Sequence, residues 1–159
     1  ILYFDFIDEN ITGRTRDVYK LSYKPKVLLR KTGYPLIASI DLTGYYPEQS
    51  LYFIYEINCS ISPFYMLALF NSKLINWIYL NELVTNIDST PQLKNSDLYK
   101  FPIATSKNQQ PFIEKVDQIL ALKQDNPEAD TTTLEKEIDA MVYALYGLSE
   151  EEINIVENS

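Results

Sequence analysis

The chain has no histidine, one cysteine and four glycines in 159 residues, and each shortage removes a class of chemistry. Without histidine there is no imidazole base, no imidazole metal ligand and no Ser-His or Cys-His nucleophile pair. A single cysteine, Cys59, makes neither an internal disulfide nor a thiolate zinc site. Set near Ile57, Ile61 and Phe64, it reads as a small buried hydrophobe suited to a reducing cytoplasm. The glycines stand at 13, 33, 44 and 147, too dispersed for a phosphate-binding loop or a dinucleotide fingerprint. No basic-then-apolar leader opens the sequence. It begins instead on an alternating strand pattern, Ile1 to Phe6, without an initiating Met, which is expected of a fragment cut from a longer protein. The longest apolar stretch, Pro63 to Leu80, is interrupted by Asn71, Ser72, Lys73 and Asn76. It reads as a buried helix and not as a membrane span.

Positive charge looks scarce as well, with a formal net charge of −8. That average conceals a strong asymmetry. Residues 1–110 carry a net +1 and residues 111–159 a net −9. Within the first part, Arg14, Arg16, Lys20, Lys24, Lys26, Arg30 and Lys31 are opposed only by Asp17, a local net of +6, which suits a surface facing phosphates.

The composition fits one globular domain with a helical appendage. Val18–Tyr23, Lys26–Arg30, Pro35–Ile40 and Leu51–Ile57 are β-branched or aromatic runs separated by Pro and Gly, and they predict strands. Ser62-Pro63 predicts a helix start, and the helix is expected to run to about Glu82. In it, Asn71 and Ser72 are expected to cap or bend the helix. Residues 86–96 are polar and predict a loop. Helical spacing returns at Phe112, Val116, Ile119 and Leu120, and again at Leu134, Ile138, Met141, Val142 and Leu145. Thr132 with Glu135 and Ser149 with Glu152 suggest capping boxes, and Gly147 a helix stop. The expected fold is α+β: an N-terminal mixed β-sheet packed on a long buried helix, followed by a C-terminal helical hairpin.

Carboxylates are abundant without forming a recognisable catalytic pair. A metal-dependent nuclease could in principle use Asp5, Asp8 or Glu9 with Lys26, at a spacing that does not single them out. Thirteen tyrosines keep a protein-interaction module open as the alternative reading, since aromatic residues are enriched at interface centres.

Four segments carry a family resemblance: Pro25 to Gly33 (PKVLLRKTG); Leu69 to Ile75 (LFNSKLI); Gln92-Leu93-Lys94 leading to Leu98 through Ile103 (LYKFPI); and Leu134 to Asp139 continuing through Val142 to Ser149 (VYALYGLS). In this order they resemble the TaqI-like C-terminal specificity domain of type IIG restriction-modification enzymes and related adenine-specific DNA methyltransferases. The resemblance implies a non-catalytic DNA target recognition domain over residues 1–108, with residues 109–159 an acidic helical segment packed on it. It also implies double-stranded DNA as partner, and a covalently linked methyltransferase or endonuclease domain elsewhere in the parent, where S-adenosylmethionine would bind. The Asn-Pro-Pro-Tyr/Phe motif of adenine methylation is missing here, so no cofactor is expected in this segment. On this reading Lys24, Lys26, Arg30, Lys31, Lys73 and Lys94 are the candidates to hold phosphates. Arg30, Tyr34, Tyr45, Ser89, Thr90 and Gln92 are the candidates to reach base edges.

Overall fold

A computed structural model describes residues 11–12, 15–57, 60–84 and 90–159. The expected strand at Ile1–Phe6, the carboxylates Asp5, Asp8 and Glu9, and Arg14, Cys59 and Ser89 lie outside the described residues. The fold is α+β. Strands β1 (Ile11–Thr12), β2 (Lys26–Arg30), β3 (Ala38–Asp41) and β4 (Leu51–Ile54) form a sheet in the order β1-β4-β2-β3. Among the described residues every pairing is antiparallel, where a mixed sheet was expected.

Val18–Tyr23 is a correction, because helix α1 (Val18–Ser22) stands where a strand was predicted. The carboxylate of Asp17 accepts a hydrogen bond from Tyr19 N at 2.9 Å and caps that helix. Helical spacing also brings Tyr19 and Tyr23 edge to face at 5.8 Å, with Tyr23 edge to face on Tyr55. Capping and ring packing thus override the strand preference of a short aromatic run.

The expected long helix is interrupted. Helix α2 (Pro63–Asn71) begins as predicted at Ser62-Pro63, ends at Ser72, and is followed by α3 (Lys73–Ile78) and a π-helical turn over Tyr79–Leu83. Ser72 takes an extended backbone; its hydroxyl donates to Leu69 O at 2.7 Å and caps α3. The break serves the edge strand. Asn71 Oδ1 accepts from Ala38 N at 2.9 Å and Asn71 Nδ2 donates to Ala38 O at 3.0 Å, the two bonds a further strand would have made. Asn76 Oδ1 accepts from Leu36 N at 2.7 Å, while its amide donates to Phe70 O and Ser72 O.

Residues 65–70 of α2 are all buried, as expected of a helix covered on every side. On one side lie Val27, Leu29 and Ile54 of the sheet; on the other lie Phe112 and Val116. The latter belong to α5 (Gln110–Asp125), which follows a single helical turn, α4 (Asn95–Leu98), that starts in the last two residues of the stretch predicted as loop. Helices α6 (Thr132–Tyr146) and α7 (Glu150–Glu157) complete the helical side. Gly147 ends α6 in the left-handed region, and Ser149 and Glu152 form their capping box. The box expected at Thr132 is not made. Asp130 Oδ1 accepts from Thr132 N, and Thr131 is the N-cap, its hydroxyl bonded to Glu135.

The distinctive ending of the chain works as a set of ties. Asp139 Oδ1 accepts from Lys73 N at 2.8 Å, Tyr143 donates to Glu157 at 2.8 Å, and Tyr146 donates to Pro102 O while accepting from Ala104 N. Burial pushes the Asp139 carboxyl up from its ordinary value to about 6, against the lowering effect of the Lys73 amide and charge. Glu157 and Glu135 face it and push the same way as burial. Because the folded value lies above the unfolded one, this group favours the fold at low pH, and its contribution falls as pH rises from about 4 to about 6. Asp139→Asn keeps an acceptor for Lys73 N and removes that titration. Urea denaturation is expected to give the variant the same stability as the parent near pH 4 and a higher stability at pH 7. A lower stability at pH 7 would contradict this account.

Candidate nucleic-acid interface

The β2–β3 connection, residues 31–37, is closed at its base by Arg30 N donating to Ile37 O at 3.0 Å. Residues 91–93 then come back from beyond the helices and dock on it as a short antiparallel neighbour. Gly33 N donates to Pro91 O at 2.8 Å and Leu93 N to Lys31 O at 2.7 Å, so Thr32 and Gln92 face one another across the bridge. Both are exposed, and opposed residues in such a register place their side chains on the same side. Leu93 anchors the segment in the core. Lys94 begins α4, its backbone N–H bonded to Asp97 Oδ2 at 3.2 Å.

This docking brings together six of the residues singled out from the sequence: Arg30, Lys31, Tyr34, Thr90, Gln92 and Lys94. Their individual engagement differs. Arg30 Nη2 donates to Pro35 O at 2.8 Å, and Nε is buried without a hydrogen-bond partner among the described residues. The guanidinium lies where a side chain on Gly33 would go: a Cβ there would sit 3.1 Å from Nη2, at a backbone φ of +95°. Arg30 is thus the internal brace of the loop. Lys31 packs its ammonium 4.4 Å from the centre of the Tyr52 ring and donates to Gln49 O at 2.5 Å. Tyr34, Thr90, Gln92 and Lys94 are exposed. Thr32 was not singled out from the sequence, because its place opposite Gln92 comes from a register between residues sixty apart.

Lys24 and Tyr45 lie at the other end of the sheet, since antiparallel pairing sets Lys26 opposite Asp41. Four strand steps separate Lys26 from Arg30, about 13 Å. Lys73 is on α3, in a groove of about 230 Å³ shared with Tyr34 and Asn76, where its ammonium pairs with Glu157.

Lys26 requires a correction. It is fully buried, with Nζ 2.6 Å from Asp41 Oδ2 and donating to Leu21 O at 2.7 Å and Tyr23 O at 3.0 Å. An ammonium with three internal acceptors and no solvent access does not reach a phosphate. The Oδ2 contact is an ion pair and not an aligned hydrogen bond. Burial pushes Asp41 up, but Lys26 together with donors from Thr43 and Gly44 outweighs it and holds the carboxyl at about 2. Among the described residues, no group of three His, Cys, Asp or Glu could hold a metal ion. Among the same residues, no helix is long and apolar enough to cross a membrane.

A family model described as the TaqI-like C-terminal specificity domain matches residues 2–103. The match therefore includes the sheet, α1 to α4 and the docked 91–93 segment, and stops short of α5. A search of curated proteins found no match.

Breaking a buried pair strands the partner's charge, which typically costs about 3–5 kcal/mol. Lys26→Met is expected to lower stability by about that amount in urea denaturation, and Lys26→Met combined with Asp41→Asn to recover part of it. A single variant as stable as the parent would show that the pair contributes nothing.

Proposed function

Because the chain belongs to the TaqI-like C-terminal specificity domain family, we propose that it binds duplex DNA and chooses the site at which a separate domain acts. That separate domain would be a methyltransferase, with or without an endonuclease, carrying S-adenosylmethionine. The present chain would contribute recognition and no catalytic step. The observation that carries this reading is the docking of residues 91–93 on residues 31–33, which sets exposed hydrogen-bonding and cationic side chains from two distant segments along one edge.

In this reading Lys31 and Lys94 hold phosphates, as Lys24 does at the other end of the sheet. Thr32, Tyr34, Thr90 and Gln92 meet base edges. The chemistry of Gln92 suits an adenine, whose N6 and N7 match a side-chain amide in a bidentate fashion, and the methyl group of Thr32 suits a thymine methyl. Arg30 holds the loop in shape and leaves its second terminal nitrogen for a contact. Two kinds of substitution should then separate. Fluorescence anisotropy with a labelled duplex across a salt series is expected to show affinity falling with salt, by a log–log slope of about −0.9 per phosphate neutralised. Lys94→Ala should reduce the magnitude of that slope by about 1. Gln92→Ala should leave the slope alone and reduce discrimination among sites by about 1–3 kcal/mol. Absence of binding at low salt would overturn the proposal.

A further inference from the structure

The seal on strand β3 leaves a recess between the strand and the helices. A cavity of about 470 Å³ is lined by residues 35–40 together with α2, α5 and α6. Its apolar wall is set back from the surface: Leu36, Ala38, Leu67, Ala68, Val116 and Ile138 are buried, and Ile40, Ile119 and Leu120 are partly buried. Small-molecule sites have this form, a recessed apolar body with a few polar groups gathered at one place. A protein-docking face instead turns its large apolar side chains outward. Of the large apolar residues lining this cavity only Ile37 does so, at 45% exposed.

Most polar side chains around the cavity are already engaged. The amides of Asn71 and Asn76 are spent on the β3 edge and on helix carbonyls. The Lys73 ammonium pairs with Glu157, and Ser39 stands at the exposed rim. Asp139 is different. It is 6% exposed, and its Oδ1 accepts from Lys73 N at 2.8 Å. Its Oδ2 has no hydrogen-bond partner among the described residues and is not sealed from solvent. Glu135, one helical turn earlier on α6, lines the same cavity, with one oxygen bonded to the Thr131 hydroxyl. Two carboxylates thus face one ammonium that already has a partner, and the excess charge at this end is negative. A carboxylate oxygen this deep without a donor is costly, and a cationic donor relieves it most. The same cost shows in the titration of Asp139, which burial raises to about 6.

We propose that this cavity binds a small apolar amine, its hydrocarbon body against Leu67, Ala68, Val116 and Ile138 and its ammonium donating to Asp139 Oδ2. The site is built between the sheet edge and the helical layers, and it does not depend on the DNA-recognition reading.

The test uses the full chain, isotope-labelled and followed by its amide NMR shifts. Adamantylmethylamine, cationic at neutral pH, is compared with adamantylmethanol, a neutral molecule of the same shape. The amine is expected to bind more tightly than the alcohol by about tenfold or more, as a charge-assisted contact does over a neutral one. Its shifts should gather at residues 36–40, 67–71, 116–120 and 135–139. Asp139→Asn keeps the acceptor for Lys73 N and should bring the two affinities within about twofold of each other. The groups facing Asp139 are Lys73 and Glu157 on α3 and α7, and Glu135 and Tyr143 on its own helix. As Asp139 takes up its proton between pH 7 and pH 5, affinity for the amine should fall about tenfold in the parent, and this fall should vanish in Asp139→Asn. The pH series needs only the parent chain, so the assignment stays testable if the variant fails to fold. Equal affinities for amine and alcohol in the parent, a preference for the amine that survives Asp139→Asn, or no shifts around the cavity at millimolar amine would each overturn the proposal. Shifts there that follow the concentration of the chain and not of the amine would show a second copy covering the cavity, and would overturn it too.

Discussion

Strand β3 is the edge of the sheet, and its outward-facing backbone groups set the terms for much of the structure. An edge strand needs its N–H and C=O groups paired, covered or solvated. Here Ala38 and Leu36 are paired by Asn71 and Asn76, side chains that stand in for a missing strand. Delivering both amides to one edge requires the helical segment to break between them, at Ser72, whose hydroxyl caps the helix that follows. The new helix start then needs a partner for Lys73 N, and Asp139 of α6 supplies it. Sealing one edge thus reaches across to the third layer of the fold. It also holds the end of the 31–37 connection, against which residues 91–93 dock.

Electrostatics follow the same layering. The net −9 of residues 111–159 belongs to helices on the α2 side of the sheet, where α5 packs along α2. The described part of the basic run, residues 16–31, is on the strands, loops and short helix of the sheet half. Its nominal charge overstates what a ligand would meet, since Lys26 is spent inside the fold against Asp41. The remaining cations divide between the two ends of β2, so a duplex meeting both would lie along the strand direction. Like-charge repulsion disfavours the helical side for the same polyanion.

The legible features were those governed by local chemistry. Ser62-Pro63 at a helix start, Gly147 at a helix stop and Ser149 with Glu152 each satisfy backbone groups within a few residues, so sequence spacing suffices to find them. Lys26–Arg30 came out with its observed bounds because Pro25 and Gly33 delimit it. Val18–Tyr23 failed because an aromatic, β-branched run was weighed by propensity while the cap at Asp17 decided the outcome. Helix interruption at Ser72 had a local hint in its polar residues, yet its reason lies 33 residues away at Ala38. Long-range register likewise hid Thr32 opposite Gln92, and long-range pairing hid the burial of Lys26. A lysine in a basic segment looks like its neighbours until the carboxylate across the strand is known.

Recognition through the sheet ends, with the acidic helices turned away, is the claim on which the rest converges, and amide hydrogen exchange of the chain with and without duplex DNA examines it most directly. The account predicts slower exchange on DNA binding at residues 31–34 and 90–94, with the amides of α6 and α7 unchanged. Protection confined to α6 and α7, with none at the sheet ends, would contradict it.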